Sequence, residues 1–484
     1  MTPAWHSSFT RMKVKAHVLV VTPQAVGQTW IDAIEAAAAG RAQLWPWQVA
    51  GARYAAERPY AMLAMEMRTG KTLTALHAVG VADREVRPLL LNEGSTERRA
   101  ATLRQALATE SRPIVVVTNG DAVWRGDLGQ AIAGVSWSAI IIDESHQIKS
   151  PTGRKSKWLA ALARKYPAAK RLCLTGTPLA HSPLDIFGQT RFLDPTVFGT
   201  SFPAFRARHM IPDRQFPARP ASRWQLKSAG LSTPWKNLDE LTAKMDTFTY
   251  RVRRADVMEC LPTTTDTIGV TLSPVTMRYY RQLEREMTAA VGDGTVTAAN
   301  VLTKGIRLRQ ACGGRAVLDG TKVTVDIDGR AAKAAALKDW LEGLPDDEPV
   351  PVFCEFTDDL DAVAQVADEL RRPYSEVSGR GKTLSEWQCG ETTILGVQTR
   401  SGGLGVDLTR ANLAVFYSLG WSLAEHEQAL ARLQGVNQKR PVGYYVLTAK
   451  GTIDEQVYSA LAERRDVVEA VLGRLTGVAE RGVA

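Results

Sequence analysis

The sequence lacks any paired-cysteine pattern. Its five cysteines, Cys173, Cys260, Cys312, Cys354 and Cys389, are scattered, and no C-x-x-C pair occurs. That speaks against a disulfide framework or a cysteine-rich zinc site and fits a reducing compartment. No apolar run approaches the length that crosses a bilayer. The early run Val18 to Val21 is too short for the apolar core of a signal peptide. An intracellular, cytoplasmic protein with no membrane partner is therefore expected. Low-complexity tracts and fixed-period repeats are also absent. Acidic residues are in the minority, with 51 Asp and Glu against 60 Lys and Arg, and the formal charge is +9. Such a balance suits a polyanionic partner, most often nucleic acid, and equally suits a basic surface with no such role.

What is present is a chain of 484 residues, 45% hydrophobic, which is more than one core usually serves. Short apolar runs alternate with helical patterns. Pro88 to Asn92, Pro113 to Thr118, Ser138 to Ile142 and Arg171 to Leu174 read as strands, with helices such as Glu97 to Ala108 and Lys155 to Lys165 between them. This alternation predicts a parallel sheet covered on both faces. A second α/β series begins near Lys333, with strands at Val350 to Cys354, Pro373 to Val377, Thr392 to Val397, Leu413 to Ser418 and Val442 to Leu447. The expected division is a β-α extension over 1–43, a first lobe over 44–265 with a basic helical insertion from about 190, a helical connecting segment over 266–332, and a second lobe over 333–484. No role is assigned to residues 1–43.

The first lobe is organised around Met65-Glu66-Met67-Arg68-Thr69-Gly70-Lys71-Thr72. An apolar strand leads in and a helical pattern leads out. Backbone N–H groups of such a loop and helix start can point at phosphates. Lys71 can reach β/γ oxygens, and the Thr72 hydroxyl can sit on Mg²⁺. The first glycine of the full phosphate-loop pattern is missing, since Met65 stands there. Taken alone, Gly70-Lys71-Thr72 could also be a chance helix start. Upstream, Gln48 offers a donor and an acceptor that suit an adenine edge. Downstream, Ile140 to Ile142 end in Asp143-Glu144-Ser145-His146. Carboxylates at the end of a buried strand lie where open α/β sheets bind ligands. In isolation this pair reads more readily as a helix cap. Leu174-Thr175-Gly176-Thr177-Pro178 again follows a strand and, alone, fits an ordinary turn.

Taken together, Gln48, Gly70-Lys71-Thr72, Asp143-Glu144-Ser145-His146 and Thr175-Gly176-Thr177-Pro178 resemble, in order and spacing, the motifs of superfamily-two helicases. The closer resemblance is to the Swi/Snf-like branch of DNA-translocating ATPases, whose phosphate loop also lacks the first glycine. Ile148-Lys149-Ser150, Ser182 to Ile186 with Gln189, and Arg251 to Asp256 are similar to that branch as well. So are Gln398 to Leu408, Glu427 to Arg432 and Gly451 to Glu455. The match runs over about residues 44–465. The compact length fits a stand-alone or virus-encoded member, which would act in the host cytoplasm.

The resemblance implies an α/β fold of two RecA-like parallel-sheet lobes, with helical insertions between them, that bracket ATP. Gln48, Arg68, Thr69, Gly70, Lys71 and Thr72 would bind ATP, together with Gly405 and Asp407. Thr72 and Asp143 would hold Mg²⁺. Lys71, Asp143, Glu144 and Arg432 would carry the hydrolysis, with Glu144 polarising the attacking water. His146, Thr175, Gly176, Thr177 and Gln428 would couple nucleotide state to movement. The partner implied is DNA, with duplex favoured over branched or single-stranded forms. Arg206, Arg208 and Arg223 lie in a basic stretch interleaved with aromatics, and they are candidates for its backbone along with Arg400, Ser401 and Gly402. A solvated linker would account for that stretch equally well.

One departure stands out. Family members carry a second arginine three residues after the position of Arg432, and this chain has Gly435 there. Arg440 is nearby but wrongly spaced. Beside the translocase reading stand a strand-separating or branch-remodelling helicase, and a weakened ATPase that acts as an ATP-gated DNA-binding module. A packaging motor with an appended nuclease fits poorly, because no second acidic cluster is evident after residue 333.

Overall fold

The computed structural model describes residues 17–23, 26–82, 84–214, 234–292, 298–317, 324–329, 331–381, 383–399, 406–435 and 438–472. The chain divides into two compact units, Met1–Cys260 with Asp466–Ala484, and Leu261–Arg465.

The strands of the first unit are β1 (His17–Thr22), β2 (Tyr60–Met65), β3 (Arg87–Leu91), β4 (Ile114–Asn119), β5 (Trp137–Asp143), β6 (Lys170–Leu174) and β7 (Thr249–Val252). They form one sheet in the order β3-β4-β1-β5-β6-β2-β7. Every neighbouring pair is parallel. Its helices include α1 (Gly27–Ala38), α2 (Pro46–Ala56), α3 (Lys71–Ala78), α4 (Thr96–Thr109), α5 (Gly126–Ala133), α6 (Arg154–Lys165), α7 (Ile186–Leu193) and α8 (Phe202–His209). The central strands are continuous aliphatic runs because both faces are covered. Val18, Val20, Val115, Val117, Ala139 and Ile141 are fully buried on one face, packed with Trp30 and Ile34 of α1 and Leu76 of α3.

Residues 17–38, set apart in the sequence as an extension, supply a central strand and its helix. β1 lies between β4 and β5, with Val20 opposite both Val117 and Ile141. β7 falls where the Arg251 to Asp256 motif begins, and pairs with β2.

The second unit holds a sheet of β8 (Thr263–Val270), β11 (Val350–Cys354), β12 (Tyr374–Val377), β13 (Ile394–Gln398), β14 (Leu413–Phe416) and β15 (Val442–Ala449) in the order β12-β13-β11-β14-β15-β8, again parallel throughout. Val350, Val352, Ile394, Val415 and Leu447 form its buried centre. Thus residues 263–270, expected to fall at the end of the first lobe and the start of a helical connection, are the edge strand of this sheet. The strands β9 (Arg315–Val317) and β10 (Thr324–Asp326) pair antiparallel, as expected of the hairpin around Asp319-Gly320. Those two turn residues lie outside the described ones.

All-parallel topology has one consequence for function. The carboxyl ends of β1, β2, β5 and β6 lie on one edge of the first sheet. Thr22, Met65, Asp143 and Leu174, far apart in the chain, are thereby brought to the same side. Among the described residues no helix is long and apolar enough to cross a membrane.

Candidate functional site

The loop after β2 turns sharply into α3. Arg68 has φ +65 and Gly70 has φ +86, both left-handed. Only glycine takes that conformation without cost. Lys71 opens α3, and its Nζ folds back to donate to Met65 O (3.0 Å) and Glu66 O (3.4 Å). The buried Thr69 hydroxyl donates to Glu66 O at 2.7 Å, and Thr74 Oγ1 donates to Gly70 O at 3.1 Å. Thr72 follows Lys71 in the first turn of α3. These bonds hold a tight loop whose amides gather at a helix start, the arrangement that binds phosphate.

Helix α2 braces this loop from outside. Pro46 occupies its first turn, where a missing N–H costs nothing. Gln48 is 1% exposed. Its Oε1 accepts from the Trp45 amide at 2.7 Å, and its Nε2 donates to Gly70 O at 3.1 Å. Trp47 Nε1 donates to Thr69 O at 3.1 Å. A Cβ at position 70 would sit 1.8 Å from Gln48 Nε2. Gly70→Ala therefore combines that clash with a left-handed strain of about 1–2 kcal/mol. It is expected to weaken ADP binding by at least about tenfold in calorimetry. Adding Gln48→Ala removes the clash but not the strain, so recovery should be partial. Unchanged affinity in Gly70→Ala would contradict this geometry.

Asp143 ends β5 and is half-buried among polar partners. Its Oδ2 accepts from Trp30 Nε1 (2.9 Å) and Thr22 Oγ1 (3.2 Å), and its Oδ1 accepts from the Glu144 amide (2.9 Å). Burial raises its pKa, and the neighbouring Glu144 charge pushes the same way. The Trp30 bond and the Lys71 ammonium oppose that rise. A carboxylate in this position suits a hard divalent cation, whose charge would favour its ionised form.

Glu144 itself is left-handed, with φ +47, a conformation costly for a side-chain-bearing residue. His146 Nδ1 lies 3.3 Å from Glu144 Oε2 and 3.5 Å from Thr175 Oγ1, so it bridges the acidic strand end and the β6 exit. Thr175 Oγ1 accepts from the Thr177 amide at 3.0 Å. Gly176 faces the Met65 to Met67 backbone at van der Waals distance. Ser145 Oγ donates to Gln189 Oε1 at 2.7 Å, and Gln189 Nε2 donates to Pro178 O at 2.7 Å. Hydrogen bonds thus join the acidic strand end to the Thr-Gly-Thr turn, and the phosphate-type loop packs beside that turn at Gly176.

Three contributors were not singled out in the sequence, and a fourth, Arg254, was read only as part of the Arg251 to Asp256 motif. Thr22 and Trp30 fix Asp143 from the N-terminal unit, Trp47 ties α2 to the loop, and the Arg254 amide donates to Glu66 Oε2 at 2.9 Å. The uninterrupted aliphatic run before Thr22 was the available hint, since such a run suits a central strand.

The basic stretch is less uniform than its composition. Arg208 pairs with Glu240 at 2.6 Å, and Arg206 lies 6.0 Å over the Phe202 ring. Arg223 lies outside the described residues.

In the second unit, Gln428 is buried in the helix Leu423–Ala431 and Arg432 caps it. The Leu408 amide donates to Arg432 O at 3.2 Å, and Asp407 Oδ1 accepts from the Thr409 amide. Arg440 is engaged elsewhere, 3.1 Å from Glu348. Arg400, Ser401, Gly402 and Gly405 lie outside the described residues.

With this geometry in hand, the family comparison is decisive. The model of the SNF2-related domain matches residues 5–316, and that of the helicase conserved C-terminal domain matches residues 332–434. The chain belongs to the SNF2-related family. As a member it binds ATP and is an ATP hydrolase, and its two parallel-sheet units are the RecA-like lobes of that family. A putative protein, p41, of Acyrthosiphon pisum secondary endosymbiont phage 1 is 27% identical over 405 residues, covering 80% of this chain and 81% of that protein. The mouse SWI/SNF-related matrix-associated actin-dependent regulator of chromatin subfamily A member 1 is 26% identical, over 70% of this chain and 32% of its own length. The mouse DNA annealing helicase and endonuclease ZRANB3 is 25% identical, over 89% of this chain and 41% of its own. The chain therefore spans less than half of these two mouse relatives. A solved Sulfolobus solfataricus SWI2/SNF2 ATPase core in complex with dsDNA is 18% identical, with a TM-score of 0.36 over 89% of this chain and 93% of that one.

Proposed function

We propose that this SNF2-related ATPase is a DNA translocase that moves along duplex DNA. The observation that carries the reading is the single network in the first unit, in which His146 links Glu144 to Thr175 beside the Gly70-Lys71 loop. A group between the hydrolytic carboxylate and the strand exit can report nucleotide state to the rest of the lobe.

In this reading Lys71 and the first amides of α3 hold the β/γ-phosphates. Asp143 and Thr72 hold Mg²⁺, which neutralises charge on the phosphate oxygens when bound. Glu144 orients the attacking water and accepts its proton. Gly405 and Asp407 contribute to nucleotide binding, and Arg432 of the second unit stabilises charge on the γ-phosphate. Arg206, Arg223, Arg400, Ser401 and Gly402 follow the DNA backbone, with Arg208 moderated by Glu240. Contacts to phosphates position the protein without reading sequence. The net charge of +9 supports a polyanionic track.

Displacement of a third strand from a triplex tests the reading. ATP-dependent release of the third strand, with no separation of the underlying duplex, is the expected result. Separation of a forked duplex without triplex release would instead favour an unwinding helicase.

A weakened engine is the second reading, favoured by Gly435 and by the engagement of Arg440 with Glu348. An arginine finger is worth about three to five orders of magnitude in related phosphoryl transfers. If the finger is the missing part, Gly435→Arg raises turnover strongly at constant DNA affinity. Unchanged turnover would mean that the chain works without it.

A further inference from the structure

Two links join the end of β5 to the exit of β6, and they differ in kind. The outer one is the half-buried His146 ring, 3.3 Å from Glu144 Oε2 and 3.5 Å from Thr175 Oγ1. The inner one is the side chain of Gln189 on α7, which has no exposed surface. Gln189 Nε2 donates to Pro178 O at 2.7 Å and to Asp185 O at 3.2 Å. Carbonyl oxygens only accept, so the amide has one orientation and its Oε1 faces Ser145. The Ser145 hydroxyl, equally buried, donates to that oxygen at 2.7 Å. A short bond shielded from water holds its geometry more firmly than a longer contact near solvent.

The closeness of α7 is built into the chain. A Cβ at Gly188 would lie 2.2 Å from Ile148 O and 2.5 Å from Lys149 O. Glycine at 188 lets α7 lie against the turn Ser145–Ile148, and that approach brings Gln189 to Ser145.

The residue in front of Ser145 is the strained one. Glu144 has φ +47, and such a backbone persists only where its surroundings over-determine it. Its N–H donates to Asp143 Oδ1 and its carbonyl accepts from the Gln147 N–H, each at 2.9 Å. Both of those bonds stay within the strand end and its turn. The Ser145–Gln189 bond leaves it, fixing the turn against α7 and, through Pro178 O, against the β6 exit.

We infer that Gln189, acting through Ser145, is a positioning residue for Glu144. It holds the left-handed turn from which the carboxylate projects, and it keeps that turn in register with Thr175-Gly176-Thr177-Pro178. This rests on the reading of Glu144 as the group that prepares the water. Buried in the lobe, Gln189 acts only through its neighbours.

The test measures ATP turnover, ADP affinity and thermal melting of the full chain and its variants. Ser145→Ala removes one hydroxyl, and Gln189→Leu removes the amide at similar volume. Each is expected to lower kcat by about tenfold to a hundredfold, the scale of misplacing a reacting group by about 1 Å. The KM for ATP and the ADP affinity should stay within about threefold of the parent, since the Gly70-Lys71 loop is untouched. The two changes together should cost no more than the worse one alone, within about threefold, because they break the same bond. The deciding variant places Ser145→Ala in a Glu144→Gln background, followed by single-turnover quench. With the carboxylate gone there is nothing to position, and hydrolysis should fall no further. A further loss of about tenfold there would overturn the inference, since the damage would not run through Glu144. Parent kcat in Ser145→Ala and Gln189→Leu, with Glu144→Gln inactive, would overturn the inference alone. So would a loss confined to KM and ADP affinity, which is what a merely structural pair would show. If the melts show that Gln189→Leu does not fold, Ser145→Ala decides. Parent turnover in Glu144→Gln is a separate failure, which removes the water-preparing role and this inference with it.

Discussion

Lys71→Ala is expected to lower ATP turnover by about a hundredfold to a thousandfold, the scale of losing one preorganised charge-stabilising donor. The fold should survive. Lys71 Nζ donates to two backbone carbonyls of its own loop, Met65 O and Glu66 O, and its side chain is not itself a member of the buried core. Loss of those bonds costs about 1–3 kcal/mol, which appears as a modest fall in melting temperature. The same bonds explain why arginine is a poor replacement. A compact ammonium fits between two carbonyls and can swing to a phosphate, whereas a planar guanidinium needs a wider, flatter site. Steady-state turnover and a thermal melt on one preparation check both halves. Turnover equal to the parent would remove the phosphate-loop assignment.

Glu144→Gln should separate binding from hydrolysis. The substitution keeps the side-chain volume, and so asks little of the left-handed backbone at this position. It removes the carboxylate that takes the water's proton. Turnover should fall by about two to four orders of magnitude, the range for a positioned general base. ATP and DNA should both stay bound, because neither Lys71 nor the α3 amides have changed. His146 would then face a neutral amide at the position where Glu144 Oε2 now lies 3.3 Å away. Rapid-quench hydrolysis beside filter binding of labelled ATP measures the two effects apart. Fast hydrolysis by Glu144→Gln would show that another group prepares the water.

The aliphatic runs of the sequence were sufficient for most of the sheets. Pro113 to Thr118, Ser138 to Ile142 and Val350 to Cys354 become strands within a residue or two, because a strand buried on both faces must be apolar along its length. β8 carries no such mark. Its residues Thr263 to Thr267 are exposed, and it is held by backbone pairing to β15, so side-chain pattern could not reveal it. β7 was hidden for a different reason. Arg251 suggests a surface motif, yet its guanidinium is buried on the Leu472 carbonyl.

The site divides in the same way. Lys71, Asp143, Glu144, His146 and Thr175 were legible because each follows a strand and belongs to an ordered series of motifs. Their supports were not. Trp30 and Thr22 reach Asp143 across more than a hundred residues, through a sheet order that linear sequence does not express. The commitment of Gln48 to Gly70 O is likewise a matter of burial and distance.

The measurement to make first is ATP turnover of the purified chain without nucleic acid and with duplex, single-stranded and branched DNA and RNA, with Lys71→Ala as the blank. A DNA-driven motor gives turnover that rises strongly with DNA, most with duplex, and is absent in Lys71→Ala. Turnover indifferent to every nucleic acid, or absent while duplex binding is intact, would contradict the motor reading.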